Sequence, residues 1–252
     1  MKREEFFERM QEKSSFLGVR FCVKQLEQFF EYMELLIEWN EKINLTAIIE
    51  PEEIILKHFI DSITILKDVD DINEIDDKSK TEKEIKVVDV GTGAGFPGIP
   101  LSIMNSTLKI TLVDSLNKRL IFLQEVVNKL QLKNVEIIHA RAEEFGQNKK
   151  YRESFDVATS RAVANLSTLS EYLIPLVKVG GKVVSMKAAD AREEINDAKK
   201  AIEVLGGAIE KIDEFNLPQT DIGRTFITIR KQKQTPNKYP RKPGTPSKEP
   251  IK

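Results

Sequence analysis

The sequence predicts an α/β fold: a mostly parallel sheet covered by helices on both faces, an antiparallel C-terminal strand, and an N-terminal helical appendage. Three observations predict it. From residue 85 onward, β-branched runs at 85–90, 109–114, 134–139, 154–160 and 181–187 alternate with helical patterns at 98–104, 117–131, 163–177 and 190–205. Such alternation builds parallel strands joined by crossover helices. Ala208 to Phe215 and Thr225 to Arg230 then read as two strands with no helix between them, which turns the last strand antiparallel. Ahead of all this, the first 67 residues carry helical spacing only.

Taken in order, residues 3–13 place Phe6, Phe7 and Met10 on one helical face. Phe21 to Asn40 is a stronger helix, with Leu26, Phe29, Phe30, Met33, Leu36 and Ile37 at i, i+3, i+4, i+7 spacing. A further helix is read from Pro51 to Leu66, burying Ile54, Ile55, His58, Ile65 and Leu66. Residues 68–84 hold eight acids against three lysines and read as an exposed acidic connector. The core domain spans 85–230, and residues 231–252 form a basic, proline-rich tail. That tail carries five of the ten prolines and cannot be a helix; it is a linker-like tail or an extended arm.

Composition narrows the function classes. The formal net charge is −1, yet the tail holds seven Lys or Arg against Glu249, so +6 sits on a body of −7. A basic terminus on an acidic body suits a polyanionic partner, and a solvated tail is the plainer alternative. The lone Cys22 forbids an internal disulfide and fits a reducing compartment. No apolar run nears the ~20 residues of a membrane span. Glu4 and Glu5 interrupt any signal core. A cytoplasmic protein without a membrane partner is the expectation.

The stretch Val87 to Gly98, VVDVGTGAGFPG, carries the chemistry. A short strand ends near Asp89 and runs through Gly91, Gly93, Gly95 and Gly98 into a helix, with Pro97 and Pro100 in the first turn. A strand, a glycine turn and a helix make a nucleotide-binding loop, because backbone N–H groups can approach a ligand with no side chain between. Gly93 to Gly98 fits the dinucleotide pattern G-x-G-x-x-G, but the glycine at the strand end is Gly91, and from there the third position falls on Phe96. Asp89 to Gly95 is D-x-G-x-G-x-G, the pattern of S-adenosylmethionine (AdoMet)-dependent methyltransferases of Rossmann-like fold. This register favours AdoMet.

Several blocks make the resemblance specific. WNEKINLTAI, KHFIDSI, VDVGTGAGFPGIPL, LVDSLNKRLIFL, RAEEF, SRAVANL and NKYPRKPGTPSKEPI occur in this order across nearly the whole chain. Together they resemble the small-subunit rRNA methyltransferase G family, also called glucose-inhibited division protein B. The resemblance implies an enzyme that methylates N7 of one guanine in the 530 loop of 16S rRNA. AdoMet would be its cofactor, and naked rRNA or the small ribosomal subunit the partner of a monomer. The acidic connector departs from the family pattern and bears on the spacing between appendage and core.

Site residues follow. Gly91, Gly93 and Gly95 would form the wall for the methionine part of AdoMet. Phe96 matches a family cofactor position through its backbone N–H, while its ring could equally be core. Asp114 ends the second strand and can accept the ribose diol or cap the next helix; both roles are open. Ala142 and Glu143 would line the adenine, again by resemblance. Arg161 ends the fourth strand, where its fork can hold the cofactor carboxylate, the favoured pairing, or donate to guanine O6. Lys118, Arg119, Arg141 and Lys187 near the same edge, and Lys238, Arg241 and Lys242 in the tail, are candidates for RNA phosphates. His58, His139 and Trp39 read as structural, and neither histidine has a second ligand at metal spacing. An NAD-dependent oxidoreductase is disfavoured by the glycine register and the missing Tyr-x-x-x-Lys. A non-catalytic RNA-binding module remains the other alternative.

Overall fold

The computed structural model describes residues 1–69 and 84–252, so the acidic connector lies almost wholly outside the described residues. Seven strands form one sheet: β1 Lys86–Val90, β2 Lys109–Asp114, β3 Val135–His139, β4 Phe155–Arg161, β5 Val177–Ala188, β6 Gly207–Asn216 and β7 Gly223–Lys231. Their order is β3-β2-β1-β4-β5-β7-β6. The first five are parallel, and β7 runs antiparallel to both of its neighbours. The strand order reverses between β1 and β4, the place where open α/β sheets leave a crevice at their carboxyl edge.

Alternation along the strands divides the apolar side chains between two cores. Val87, Leu112, Val157 and Val184 face one; Val88, Val113, Ala158 and Val183 face the other. Period-two alternation dictates this, since successive side chains of a strand point to opposite faces. On the first face pack α1 Arg3–Ser15, α2 Val23–Ile43, a third helical segment α3, α4 Gly98–Met104 and α5 Asn117–Lys129. Segment α3 joins Pro51–Ile54, a π turn at Ile55–Ile60, and Asp61–Ile63. On the second face lie α6 Ala142–Gln147, α7 Leu166–Leu173, α8 Arg192–Val204 and the tail, through Phe145, Leu169, Ala198 and Tyr239.

Two expectations are corrected. The helix read at 163–177 starts at Leu166 and ends at Leu173, and Val177 already begins β5. Register between β4 and β5 jumps from Phe155↔Val177 to Val157↔Lys182, and Gly180 at φ +86° lets the extra residues turn out. The tail is neither helix-free nor an arm. Thr245–Lys248 is a helical turn, α9, and Thr235, Tyr239 and Pro246 are buried. Prolines donate no N–H yet leave a carbonyl at every residue, so a proline-rich segment packs where side-chain donors await it. Arg152 donates to the carbonyls of Thr235 and Tyr239, Gln147 to that of Pro240, and Thr168 to that of Pro246.

Candidate active site

The glycine loop is braced from both sides. Asp89 is fully buried; its Oδ2 accepts from Thr92 Oγ1 at 2.7 Å and from the Gly98 N–H at 3.0 Å, pinning the start of α4 to β1. Its Oδ1 has no partner among the described residues. Burial pushes the Asp89 carboxyl up to about 6, against the pull of the Thr92 and Gly98 donors. Two glycines are required by close approach. At Gly91, with φ +70°, an added Cβ would meet Val163 at 2.5 Å. At Gly95, with φ +97°, it would meet Tyr32 Oη at 2.7 Å. Tyr32 donates to the Ala94 carbonyl, so α2 rests directly on the loop.

In front of the loop opens a cavity of about 550 Å³, at the carboxyl ends of β1, β2 and β3. Gly91, Asp114, Arg141, Ala142, Glu143 and Tyr172 are among its walls. Asp114 is 3% exposed. It accepts from the Gly93 N–H at 3.0 Å, the Leu116 N–H at 2.9 Å and Arg119 Nη1 at 3.3 Å. Asp114 does not cap α5, whose N-cap is Leu116 with no side-chain partner; it holds the chain entering that helix and lines the cavity. Three of the roughly four acceptor directions of a carboxylate are taken, the Arg119 contact being the longest and the most exposed. Arg119, expected on phosphate, sits on Asp114 instead.

Glu143 faces the same cavity and accepts the Gly244 N–H at 2.8 Å. Gly244 and Ser247 complete the wall, so the tail is part of this site. Sequence reasoning missed them, and it missed Tyr172, whose hydroxyl is pushed up by burial and then by Glu143. The order in which blocks occur carries no sign that the last one returns to the fifth.

The structure separates Phe96 and Arg161 from this cavity. The Phe96 N–H bonds back to the Thr92 carbonyl at 3.1 Å, and its ring stacks on His58, 4.4 Å away and nearly parallel, with the Arg161 guanidinium 5.0 Å from its centre. Phe96 thus stiffens the loop from behind. Arg161, expected on a cofactor carboxylate, finds its carboxylate in Asp61 at 3.2 Å, with the Lys57 carbonyl at 2.9 Å and His58 Nδ1 at 3.0 Å. A buried guanidinium has to be paired, and the protein supplies the pair itself. Because Arg161 only donates, His58 Nδ1 carries the lone pair, and Nε2–H is left to donate to Thr46 Oγ1 at 2.9 Å. Burial first, and Arg161 second, lower His58 to about 3.

Of the remaining basic candidates, two more are engaged. Lys187 Nζ reaches the Ala164 carbonyl and Glu194, and Arg241 grips the buried Glu171 through Nε and Nη2. Each neutralises a carboxylate or a carbonyl that would otherwise be left unpaired. Lys118, Arg141, Lys238 and Lys242 are exposed. Trp39 packs on Phe122, and His139 meets the Ser115 carbonyl at 3.0 Å. Among the described residues no helix is long and apolar enough to cross a membrane, and no group of three or more His, Cys, Asp or Glu could hold a metal ion.

The cavity fits AdoMet. Its volume lies within the usual range for small-molecule sites, its wall at Gly91 is bare backbone, and a buried carboxylate stands at the end of β2.

Comparison with known proteins agrees. The family profile described as rRNA small subunit methyltransferase G matches residues 25–222. A ribosomal RNA small subunit methyltransferase G of Oceanobacillus iheyensis is 50% identical over 251 residues, covering 100% of both chains. That of Bacillus subtilis is 51% identical over 251 residues, covering 100% of this chain and 99% of its own. A mutant of MtNAS solved in complex with S-adenosylmethionine shares the fold, with a TM-score of 0.51 at 15% identity over 89% of this chain and 77% of that one. The chain belongs to the rRNA small subunit methyltransferase G family.

Proposed function

We propose that this chain transfers the methyl group of AdoMet to N7 of a guanine in the 530 loop of 16S rRNA. One observation carries the choice of atom: His58 and Asp61, the buried titratable pair beside Arg161 at the carboxyl edge, are both engaged, and neither stands free as a base. His58 gives its Nδ1 lone pair to Arg161 and its proton to Thr46, while Asp61 lies between Arg161 and Arg224. Guanine N7 has an in-plane lone pair and no proton, so its methylation needs none removed. A ring N–H or a ribose hydroxyl would need a base.

When bound, AdoMet supplies an electrophilic methyl on a sulfonium, which leaves positioning to the protein. Asp114 would accept the ribose hydroxyls, with Arg119 giving way because its contact is the weakest of the three. Ala142 and Glu143 would flank the adenine, and Gly91 would hold the methionine part against bare backbone, with Gly93 and Gly95 shaping the turn behind it. Tyr172, Gly244 and Ser247 close the cavity on the tail side and exclude water. The exposed Lys118, Arg141, Lys238 and Lys242 are the cations left for RNA phosphates.

The test supplies methyl-labelled AdoMet and small ribosomal subunits lacking the modification, followed by chain cleavage specific for 7-methylguanine. Label at one cleavable guanine in the 530 loop is expected. Label on another base, or in RNA that resists this cleavage, contradicts the reading.

A further inference from the structure

The apolar face that α2 turns to the core carries one hydroxyl that packing does not require. Tyr32 is fully buried, and its ring stacks on Phe59 at 5.4 Å and on Phe96 at 5.3 Å. Phenylalanine would fill both stacks. A buried hydroxyl costs free energy unless it finds a partner. Burial also holds the Tyr32 phenol well above its ordinary pKa, so the oxygen keeps its proton and can donate. The acceptor is the Ala94 carbonyl, in the middle of the glycine loop. The Gly98 N–H, which a regular helical turn would send to that carbonyl, goes to Asp89 instead. Among the described residues Tyr32 is the one donor that reaches it.

The bond falls on the softest point of the loop. Gly93 and Gly95 flank Ala94 at φ +62° and +97°. A peptide unit followed by glycine can turn over at little steric cost, because no Cβ resists the new angle. Here the Ala94–Gly95 unit is held at both ends. Tyr32 takes its carbonyl, and its N–H donates to the Thr92 carbonyl at 2.9 Å. Glycine at 95 leaves the hydroxyl its room, since an added Cβ would lie 2.7 Å from Tyr32 Oη. The turn so closed runs from Thr92 to Gly95, and its second residue, Gly93, donates to Asp114 Oδ2 at 3.0 Å. A chain of bonded groups thus leads from a helix of the appendage to a carboxylate lining the first cavity.

We propose that Tyr32 is a positioning residue for the cofactor: its hydroxyl fixes the Ala94–Gly95 peptide, and the turn keeps Asp114 aimed at the ribose. The assignment rests on the placement of AdoMet in the first cavity given above. Without the hydroxyl, the Ala94 carbonyl is left buried and unpaired. Rotation of a peptide that glycine leaves free relieves this, and it draws the Gly93 N–H away from Asp114. The appendage therefore contributes to cofactor binding without touching the cofactor.

Tyr32→Phe tests the proposal, because the ring and its stacking remain. Calorimetry should show AdoMet bound about tenfold more weakly, the scale of one lost hydrogen bond. In turnover on small subunits, KM for AdoMet should rise by the same factor, with kcat and KM for the subunit near the parent's. Phe29→Leu is the control, since Phe29 is buried on the same helix and its ring meets Phe21 and Phe59. It should lower the melting temperature at least as far and bind AdoMet as the parent does. Parental affinity in Tyr32→Phe, or equal losses of affinity in the two variants, overturns the proposal. Hydrogen exchange at the Gly93 amide reads the relay itself: Tyr32→Phe should speed it, and unchanged exchange overturns the relay. Asp114→Ala separates this role from the placement beneath it. If Asp114→Ala binds AdoMet as the parent does, the placement fails and the relay with it. If Asp114→Ala weakens binding and Tyr32→Phe does not, only the role of Tyr32 fails.

Discussion

Two cavities at the carboxyl edge, the one before the glycine loop and a second of about 410 Å³ beyond Ala162, bordered by His58, Asp61, Arg161, Met186 and Arg224, are built in opposite ways. The glycine-loop wall of the first is made of short-range parts, and the tail closes the side opposite. Gly91, Gly93 and Asp114 lie within one strand–loop–helix unit and its neighbour, and the key contact, Gly93 N–H to Asp114, links adjacent parallel strands. The second is made of long-range ion pairs. Asp61 in α3 meets Arg161, 100 residues on, and Arg224, 163 residues on. In the first, the loop N–H groups are bonded to Val113, Thr92 and Asp114, and bare backbone at Gly91 borders an open cavity. In the second, side chains satisfy each other and leave an apolar hollow. Binding and folding should therefore respond differently to comparable substitutions on the two sides.

The largest effect is expected at Asp61. Asp61→Ala leaves two part-buried guanidinium groups without their buried carboxylate, and unfolding in denaturant should show a loss of about 3 kcal/mol. Asp114→Ala should do the reverse: AdoMet binding measured by calorimetry weakens by about 1.5–3 kcal/mol, the scale of charge-assisted hydrogen bonds. Its stability should change by less than that of Asp61→Ala, because Asp114 lies beside the cavity and its Arg119 partner is part-exposed. Equal stability losses at the two aspartates would erase the distinction.

The tail sharpens the comparison, since it belongs to the first cavity rather than to a free arm. Removing residues 238–252 takes away the Gly244 N–H that Glu143 accepts and the Arg241 that holds Glu171. AdoMet affinity should fall about tenfold, as expected for one hydrogen bond to a charged group. Thermal stability should fall with it. A truncated protein that binds AdoMet as the parent does and loses only RNA affinity would restore the picture of an arm.

Proton linkage acts with opposite sign on the two sides. Folded His58 resists protonation down to about 3, while the unfolded residue takes its proton near 6.5. The unfolded state therefore binds more protons in that window, and His58 costs stability as pH falls through it. Asp89 is opposite. Its folded value of about 6 lies above its ordinary 3.8, so its contribution is full below 3.8 and lost as pH rises through 6. Melting profiles between pH 4 and 7, taken as a rough window around these values, should flatten on the acid side in His58→Gln. In Asp89→Asn they should steepen.

How much could be read in advance follows the same division. β2 and α4 match the expected bounds, Lys109–Asp114 and Gly98–Met104, because β-branched alternation and a glycine-to-helix transition are local signals. Asp114 and Gly91 were legible for that reason. Asp61 was not, although it stands in the block KHFIDSI: a single acid in a helix reads as solvated until its two arginines arrive from β4 and β7. Arg161 showed the right place with the wrong partner, since a strand-end guanidinium announces a need for a carboxylate without naming one. Lys187 and Arg241 misled in the same way, because position near an edge carries no information on whether a cation is already paired. The tail was misread because proline content excludes a long helix but says nothing about packing against Arg152 and Gln147.

The central claim is the division of labour across Ala162, and a crystal structure with S-adenosylhomocysteine tests it most directly. The account predicts the ligand in the first cavity, its ribose on Asp114 and its adenine at Ala142 and Glu143, with Arg161 and Arg224 still paired to Asp61 and the second cavity free. A ligand lying beyond Ala162, between His58 and Arg224, with Asp61 stripped of its arginines, would contradict it.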